Sequence, residues 1–71
     1  MQDDKMIRMA NQIAAFFDTQ PGDHAAAEIA DHLTKFWEPR MKAQFMAHVD
    51  AGGAGLLPSV IAAAARMRAA A

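Results

Sequence analysis

Three groups of proline and glycine residues divide this chain into four segments. The breaks are Gln20-Pro21-Gly22, Pro39 and residues 52–58. Proline and glycine are the residues that most strongly interrupt helices and strands, whereas alanine, which is abundant between the breaks, is the best helix former. No segment alternates apolar and polar residues as a half-buried strand does. The sequence therefore predicts an all-α protein, a small bundle of three to four short helices.

The positions of the breaks also set the expected bounds of the helices within one predicted domain, residues 1–71. Pro39 and Pro58 each suit a first helical turn, where the missing proline N–H breaks no hydrogen bond. Gly52 suits a helix end, because glycine readily adopts the left-handed conformation that caps a helix. We expect helices at about residues 3–19, 24–37, 39–51 and 58–69.

The chain is too short to cover all of its bulky apolar side chains. It has 71 residues and no cysteine, and a domain of this size hides only roughly 60% of the surface of its unfolded chain. Neighbours on a helix point about 100° apart, so two adjacent large residues cannot share one narrow buried seam. We expect one member of each such pair on the surface, available to another molecule; the alternative is a compact cluster that buries both. The pairs are Phe16-Phe17, Phe36-Trp37, Phe45-Met46, Leu56-Leu57 and Val60-Ile61.

Charge and hydropathy argue against several classes of function. The net charge is −1, and the basic residues are scattered, whereas nucleic-acid binding needs clustered Lys and Arg. No apolar run approaches the ~20 residues of a membrane-spanning helix. The start of the chain, residues 1–5, is acidic and polar, unlike a secretory leader. We therefore expect a cytoplasmic protein that binds neither nucleic acid nor membrane.

One group of side chains has the spacing of a metal site. His24, Glu28 and His32 are four residues apart, which places them along one side of the second helix. Imidazole and carboxylate groups in such an arrangement can bind zinc. No second helix offers an evident fourth ligand, and this polar side is expected to face away from the apolar side of its helix. We predict no metal, catalytic or cofactor-binding residue, and keep a small metal-binding helical protein as an alternative.

The corner between the second and third helices combines side chains that are common in protein interfaces. Trp37 and Arg40 flank Pro39, and tryptophan and arginine are enriched among the residues that contribute most binding energy. The alternative is that Trp37 fills the core while Arg40 pairs with Glu38 or Asp50. Farther along, His48 suits a structural role near the end of its helix, where its ring can bond a free carbonyl.

Several stretches together resemble the delta subunit of NAD-dependent formate dehydrogenases that carry a molybdenum or tungsten pterin cofactor. The combination of the Trp-containing corner with a downstream Gly-Gly-Ala-Gly-Leu is specific, and the resemblance extends from about Lys5 to Val60. The matching stretches are Arg8-Met9-Ala10-Asn11-Gln12-Ile13, Ile29-Ala30-Asp31-His32-Leu33, Lys35-Phe36-Trp37-Glu38-Pro39-Arg40-Met41, His48, Gly52-Gly53-Ala54-Gly55-Leu56 and Pro58.

The resemblance implies a non-catalytic accessory subunit of a formate dehydrogenase complex. In that family a large catalytic subunit holds the pterin cofactor and iron–sulfur clusters, and further subunits bind FMN and NAD. The small subunit is expected to support assembly, stability or cofactor loading of the catalytic subunit; a transient maturation chaperone for that subunit is the alternative. The chain itself has no cysteine to ligate an iron–sulfur cluster.

We expect the partner interface at ten of the positions that match the family pattern. They are Phe36, Trp37, Pro39, Arg40, Met41, His48, Gly52, Gly53, Gly55 and Leu56.

Overall fold

The computed structural model describes residues 3–70, and the elements within this range are four helices with no strand. The helices are α1 (Asp3–Asp18), α2 (Ala25–Phe36), α3 (Pro39–Asp50) and α4 (Pro58–Ala70). The predicted all-α class is thereby confirmed. Each helix begins and ends within one residue of its expected bounds. None of the helices in residues 3–70 has the length and apolar character needed to cross a bilayer.

All four helices contribute to one buried apolar core. On α1 the buried residues are four positions apart, Met6, Ala10 and Ala14, which is the spacing of a single helix face. Alanine is frequent in the core, and its small side chain lets helix backbones approach closely. The larger side chains fill the remaining space. The buried set is Met6, Ala10, Ala14, Ile29, Ala30, Leu33, Trp37, Met41, Phe45, Val60, Ala63 and Ala64.

A sharp corner joins α2 to α3. The Trp37 N–H donates to the Leu33 carbonyl at 3.1 Å, which closes the last turn of α2. Glu38 is extended, with ψ at 159°, because Pro39 disfavours the helical conformation of the residue before it. Pro39 then starts α3, and the Lys42 N–H donates to the Glu38 carbonyl at 3.0 Å. The chain therefore changes direction within two residues.

The connection from α3 to α4 begins with a glycine cap. The Gly53 N–H donates to the His48 carbonyl at 2.9 Å, and the Gly52 N–H donates to the Val49 carbonyl at 3.0 Å. These two bonds form the Schellman motif, which satisfies carbonyls that would otherwise lack a partner at a helix end. Gly52 and Gly53 have φ values of 122° and 67°. A β-carbon on Gly53 would also lie only 2.6 Å from Cδ1 of Ile61, so that side chain would have to move. The positive φ is the main reason for glycine at this position.

A side chain of α1 holds the second half of this connection. Asn11 donates from Nδ2 to the Gly55 carbonyl at 2.8 Å, and its Oδ1 accepts from the Leu57 N–H at 3.0 Å. Both ends of one carboxamide are therefore used on two backbone groups of the same loop. This fixes the start of α4 against α1.

Candidate partner interface

The corner residues separate into a buried set and an exposed set. Phe36 is 72% exposed, whereas its neighbour Trp37 is only 7% exposed. Met41 is also buried, while Pro39 and Arg40 lie on the surface. The adjacent aromatic pair thus divides as the helix geometry requires, with one ring inside and one outside.

Trp37 has the core role that the sequence analysis left as its alternative. Its ring stands edge-on to that of Phe45, with centroids 5.8 Å apart and planes at 86°. The reason lies in the corner: Trp37 caps the end of α2 with extended backbone, at φ −86° and ψ 134°. Its side chain packs against Phe45 of α3. With so little of their surface open to solvent, neither Trp37 nor Met41 offers an exposed contact area in this fold.

In the described part of the chain, Arg40 forms no ion pair with Glu38 or Asp50, the two partners that the sequence suggested. The Asp50 carboxylate binds Arg68 instead, at 2.8 Å. Within residues 3–70, Arg40 forms no ion pair with Glu38 or any other acidic residue. Arg40 is consequently a surface charge, four residues after the exposed Phe36 in the sequence.

The second group of predicted residues holds the α3–α4 connection together. The His48 ring donates from Nε2 to the Ala54 carbonyl across 2.8 Å, a structural contact. Gly53 is buried and Leu56 is half-buried, while Gly52 and Gly55 are exposed. This group lies at the other end of α3 from the corner, about 14 Å along the helix axis at 1.5 Å per residue. The ten predicted residues therefore lie in two groups near opposite ends of α3.

A continuous row of four rings crosses α1 and α2. Phe16 packs edge-on against Phe17 with centroids 5.2 Å apart, and Phe17 packs edge-on against His32 at 6.3 Å. His32 in turn lies 4.8 Å from Phe36 with the planes tilted by 40°. These separations fall in or near the range of favourable aromatic contacts. We call Phe16, Phe17, His32 and Phe36 the aromatic row.

The aromatic row is open to solvent at both ends. Phe16 is 61% exposed and Phe36 is 72% exposed, and the two residues between them are half-buried. Beside the row lies an open cleft of about 310 Å³ lined by Ile13, Phe16, Phe17 and His32. Within residues 3–70, one further large apolar side chain counts as exposed, Ile61, and its exposed fraction of 36% is much lower. The exposed aromatic surface is therefore concentrated on the α1–α2 face.

The environment of His32 differs from the one that the sequence predicted. Its spacing from His24 and Glu28 placed it on a polar face pointing away from the apolar side of α2. In the structure its ring lies between those of Phe17 and Phe36, because α1 packs beside α2 and brings its own aromatic residues to this face. Among residues 3–70, no group of three His, Cys, Asp or Glu side chains could hold a metal ion.

Sequence reasoning did not bring Ile13, Phe17 and His32 together on one face. The Phe16-Phe17 pair was a usable signal, since it marked one ring for the surface, but the pairing with α2 depends on tertiary packing. Sequence reasoning also gave no structural role to Asn11, whose side chain holds the α3–α4 connection.

Most of the chain matches a known protein family. Residues 5–64 match the family described as NADH-dependent formate dehydrogenase delta subunit FdsD. That range includes the whole aromatic row and both groups of predicted interface residues. Among curated proteins, no significant match is found.

Proposed function

Because the chain belongs to the NADH-dependent formate dehydrogenase delta subunit family, we propose that it is a non-catalytic accessory subunit of such a complex. In this proposal it binds the large catalytic subunit and supports its assembly, its stability or the loading of its cofactor. The pterin cofactor with molybdenum or tungsten, the iron–sulfur clusters, FMN and NAD are assigned to the partner subunits. The compartment that goes with this proposal is the cytoplasm.

Two side chains that could do chemistry, Ser59 and His48, form contacts that join parts of the fold. The Ser59 hydroxyl donates to the exposed Asp18 carboxylate at 3.0 Å, which links α4 to the end of α1. The His48 ring is bonded to a backbone carbonyl. These contacts support a subunit whose role is binding.

The observation that carries the proposal is the exposure of Phe16 and Phe36 on a bundle whose core is otherwise closed. Burying a phenylalanine side chain is worth about 1.5–3 kcal/mol. Phe16 and Phe36 are each more than half exposed on one face. A partner that covers both rings would therefore gain binding free energy from their burial. Aromatic residues are enriched in the buried centres of protein interfaces.

Deletion tests the proposal directly. The other subunits are expressed in the native host with and without this chain, and three quantities are compared: the assembled mass, the metal content of the catalytic subunit, and formate oxidation with NAD. We expect at least one of the three to fall without the chain. If all three are unchanged, the accessory role is wrong.

The composition of the purified enzyme separates a resident subunit from a maturation chaperone. A resident subunit is present at a fixed ratio to the catalytic subunit through every purification step. A transient chaperone is lost as active enzyme accumulates. The description of the matched family as a subunit favours the resident role.

A further inference from the structure

We propose that the aromatic row is the surface by which this chain binds a larger subunit of the complex, and that it receives an apolar surface of that subunit with one aliphatic or aromatic side chain seated in the cleft. The inference rests on the proposed function, since it requires that the chain has a subunit partner. The sequence predicted an interface centred on the α2–α3 corner, whereas this proposal centres it on the α1–α2 face. Phe36 belongs to both.

The rings of the row are held in place before any partner arrives. Phe16 and Phe17 come from α1, and His32 and Phe36 from α2, so the surface is fixed by the packing of two helices. Each ring contacts the next, and an aromatic side chain has only two rotatable torsions to lose on binding. A prearranged surface of this kind loses less entropy on association than a flexible one does.

The chemistry of the cleft fits an apolar side chain. Ile13, Phe16 and Phe17 line it with carbon, and His32 is the one polar residue among its walls. Small-molecule sites typically combine apolar walls with several converging polar groups, which this cleft lacks. Its volume of about 310 Å³ is at the lower limit for such sites. A protein side chain is the better occupant.

Two charged residues next to the row pair with each other. Lys35 and Asp31, which flank His32 and Phe36 in the sequence, form an ion pair with Nζ and Oδ2 3.1 Å apart. The face therefore presents no cluster of positive charge to a phosphate group of a nucleic acid or a lipid. No Lys, Arg, Asp or Glu of residues 3–70 lines the cleft, so an uncharged apolar side chain of the partner fits it without burying one of these charges.

The area of the row indicates a partner larger than this chain. A phenylalanine ring can bury about 150–250 Å², so the exposed fractions of Phe16 and Phe36 offer roughly 200–330 Å². Specific interfaces bury about 800 Å² on each partner. Two copies of this chain meeting through the row alone would stay within the range of crystal-packing contacts, below about 800 Å² in total. A larger subunit can cover the row and extend past its rim.

The test uses the full chain co-expressed with the other formate dehydrogenase subunits. The Phe16→Ala, Phe36→Ala double variant removes both open ends of the row, and Ile61→Ala is the matched control, because it shortens the exposed apolar residue of α4. We expect the double variant to bind the catalytic subunit about 30-fold more weakly or worse, as for loss of an interface hot spot. We expect the control to bind as the original chain does.

Two further variants keep the result interpretable. The Phe16→Leu, Phe36→Leu variant retains an apolar surface and should recover most of the binding. Circular dichroism of every variant must show the original helix content, and if the double variant unfolds, Phe36→Ala alone takes its place with the same expected direction.

The possible failures are distinguishable. If the original chain binds no other subunit, the proposed function is wrong and this inference is wrong with it. If the original chain binds and the double variant binds equally well, only the aromatic row is wrong. If sedimentation shows a dimer of this chain that the double variant abolishes, a second copy is the occupant and the inference is overturned.

Discussion

The rings of Trp37 and Phe45 meet edge to face, with their planes at 86° and their centroids 5.8 Å apart. Trp37 comes from the end of α2 and Phe45 from the second turn of α3, so this contact closes the corner that Pro39 opens. The contact determines which member of the adjacent aromatic pair points inward. Phe36 is left outside as a consequence, at the end of the aromatic row.

The first prediction follows from this core role. Trp37→Ala leaves a cavity against Phe45, and truncating a buried tryptophan typically costs about 3–5 kcal/mol of the free energy of unfolding. We expect a loss of that size in denaturant titrations of the isolated chain. Phe36→Ala is the matched comparison, because its ring is 72% exposed; its unfolding free energy should change by less than about 1 kcal/mol. Equal effects of the two substitutions would contradict the packing described here.

Asn11 gives a prediction about the loop. Asn11→Ala removes a donor to the Gly55 carbonyl and an acceptor for the part-buried Leu57 N–H, so we expect a loss of about 1–3 kcal/mol in unfolding free energy. Asn11→Asp keeps the acceptor but loses the donor, so its unfolding free energy should lie between those of the original chain and of Asn11→Ala. Gln12→Ala, next to it on the exposed side of α1, serves as the control and should be close to neutral. Hydrogen exchange at the Leu57 amide is the local measurement.

The helices themselves follow from local features of the sequence. Proline and glycine act on the backbone of their own residues, so the breaks at Pro21, Pro39 and Gly52 locate the helix ends without any knowledge of the tertiary structure. Local chemistry was sufficient for the helix ends.

The interface depends on information that a single helix does not carry. Helix geometry requires that Phe36 and Trp37 diverge, but only the rotation of α2 against α3 decides which ring enters the core. The same holds for His32, whose spacing matches His24 and Glu28 on its own helix. Its ring meets Phe17 because α1 lies alongside, a contact between residues 15 positions apart in the chain. Contacts of this kind arise from packing and have no local pattern.

Gly53 gives a prediction with an internal control. In Gly53→Ala the new β-carbon would lie 2.6 Å from Ile61 Cδ1, and the backbone would have to keep a φ of 67°. Left-handed backbone costs a non-glycine residue roughly 1–2 kcal/mol, and the clash adds to it. Combining Gly53→Ala with Ile61→Val removes the clashing atom but not the backbone strain. We therefore expect the double variant to lose less melting temperature than the sum of the losses in Gly53→Ala and Ile61→Val. Strict additivity would show that Ile61 does not contact this position.

Arg40 distinguishes the predicted corner from the aromatic row. Because Arg40 forms no ion pair within residues 3–70, Arg40→Ala should change the unfolding free energy by no more than about 0.5 kcal/mol. In the binding assay it should act as a charge at the rim of the interface, with a small loss that disappears at high salt, since exposed charges are screened beyond a Debye length of about 10 Å at 0.1 M. Phe36→Ala should weaken binding more, and at every salt concentration. If Arg40→Ala proves the more damaging substitution in high salt, the centre of the interface is the corner and not the α1–α2 face.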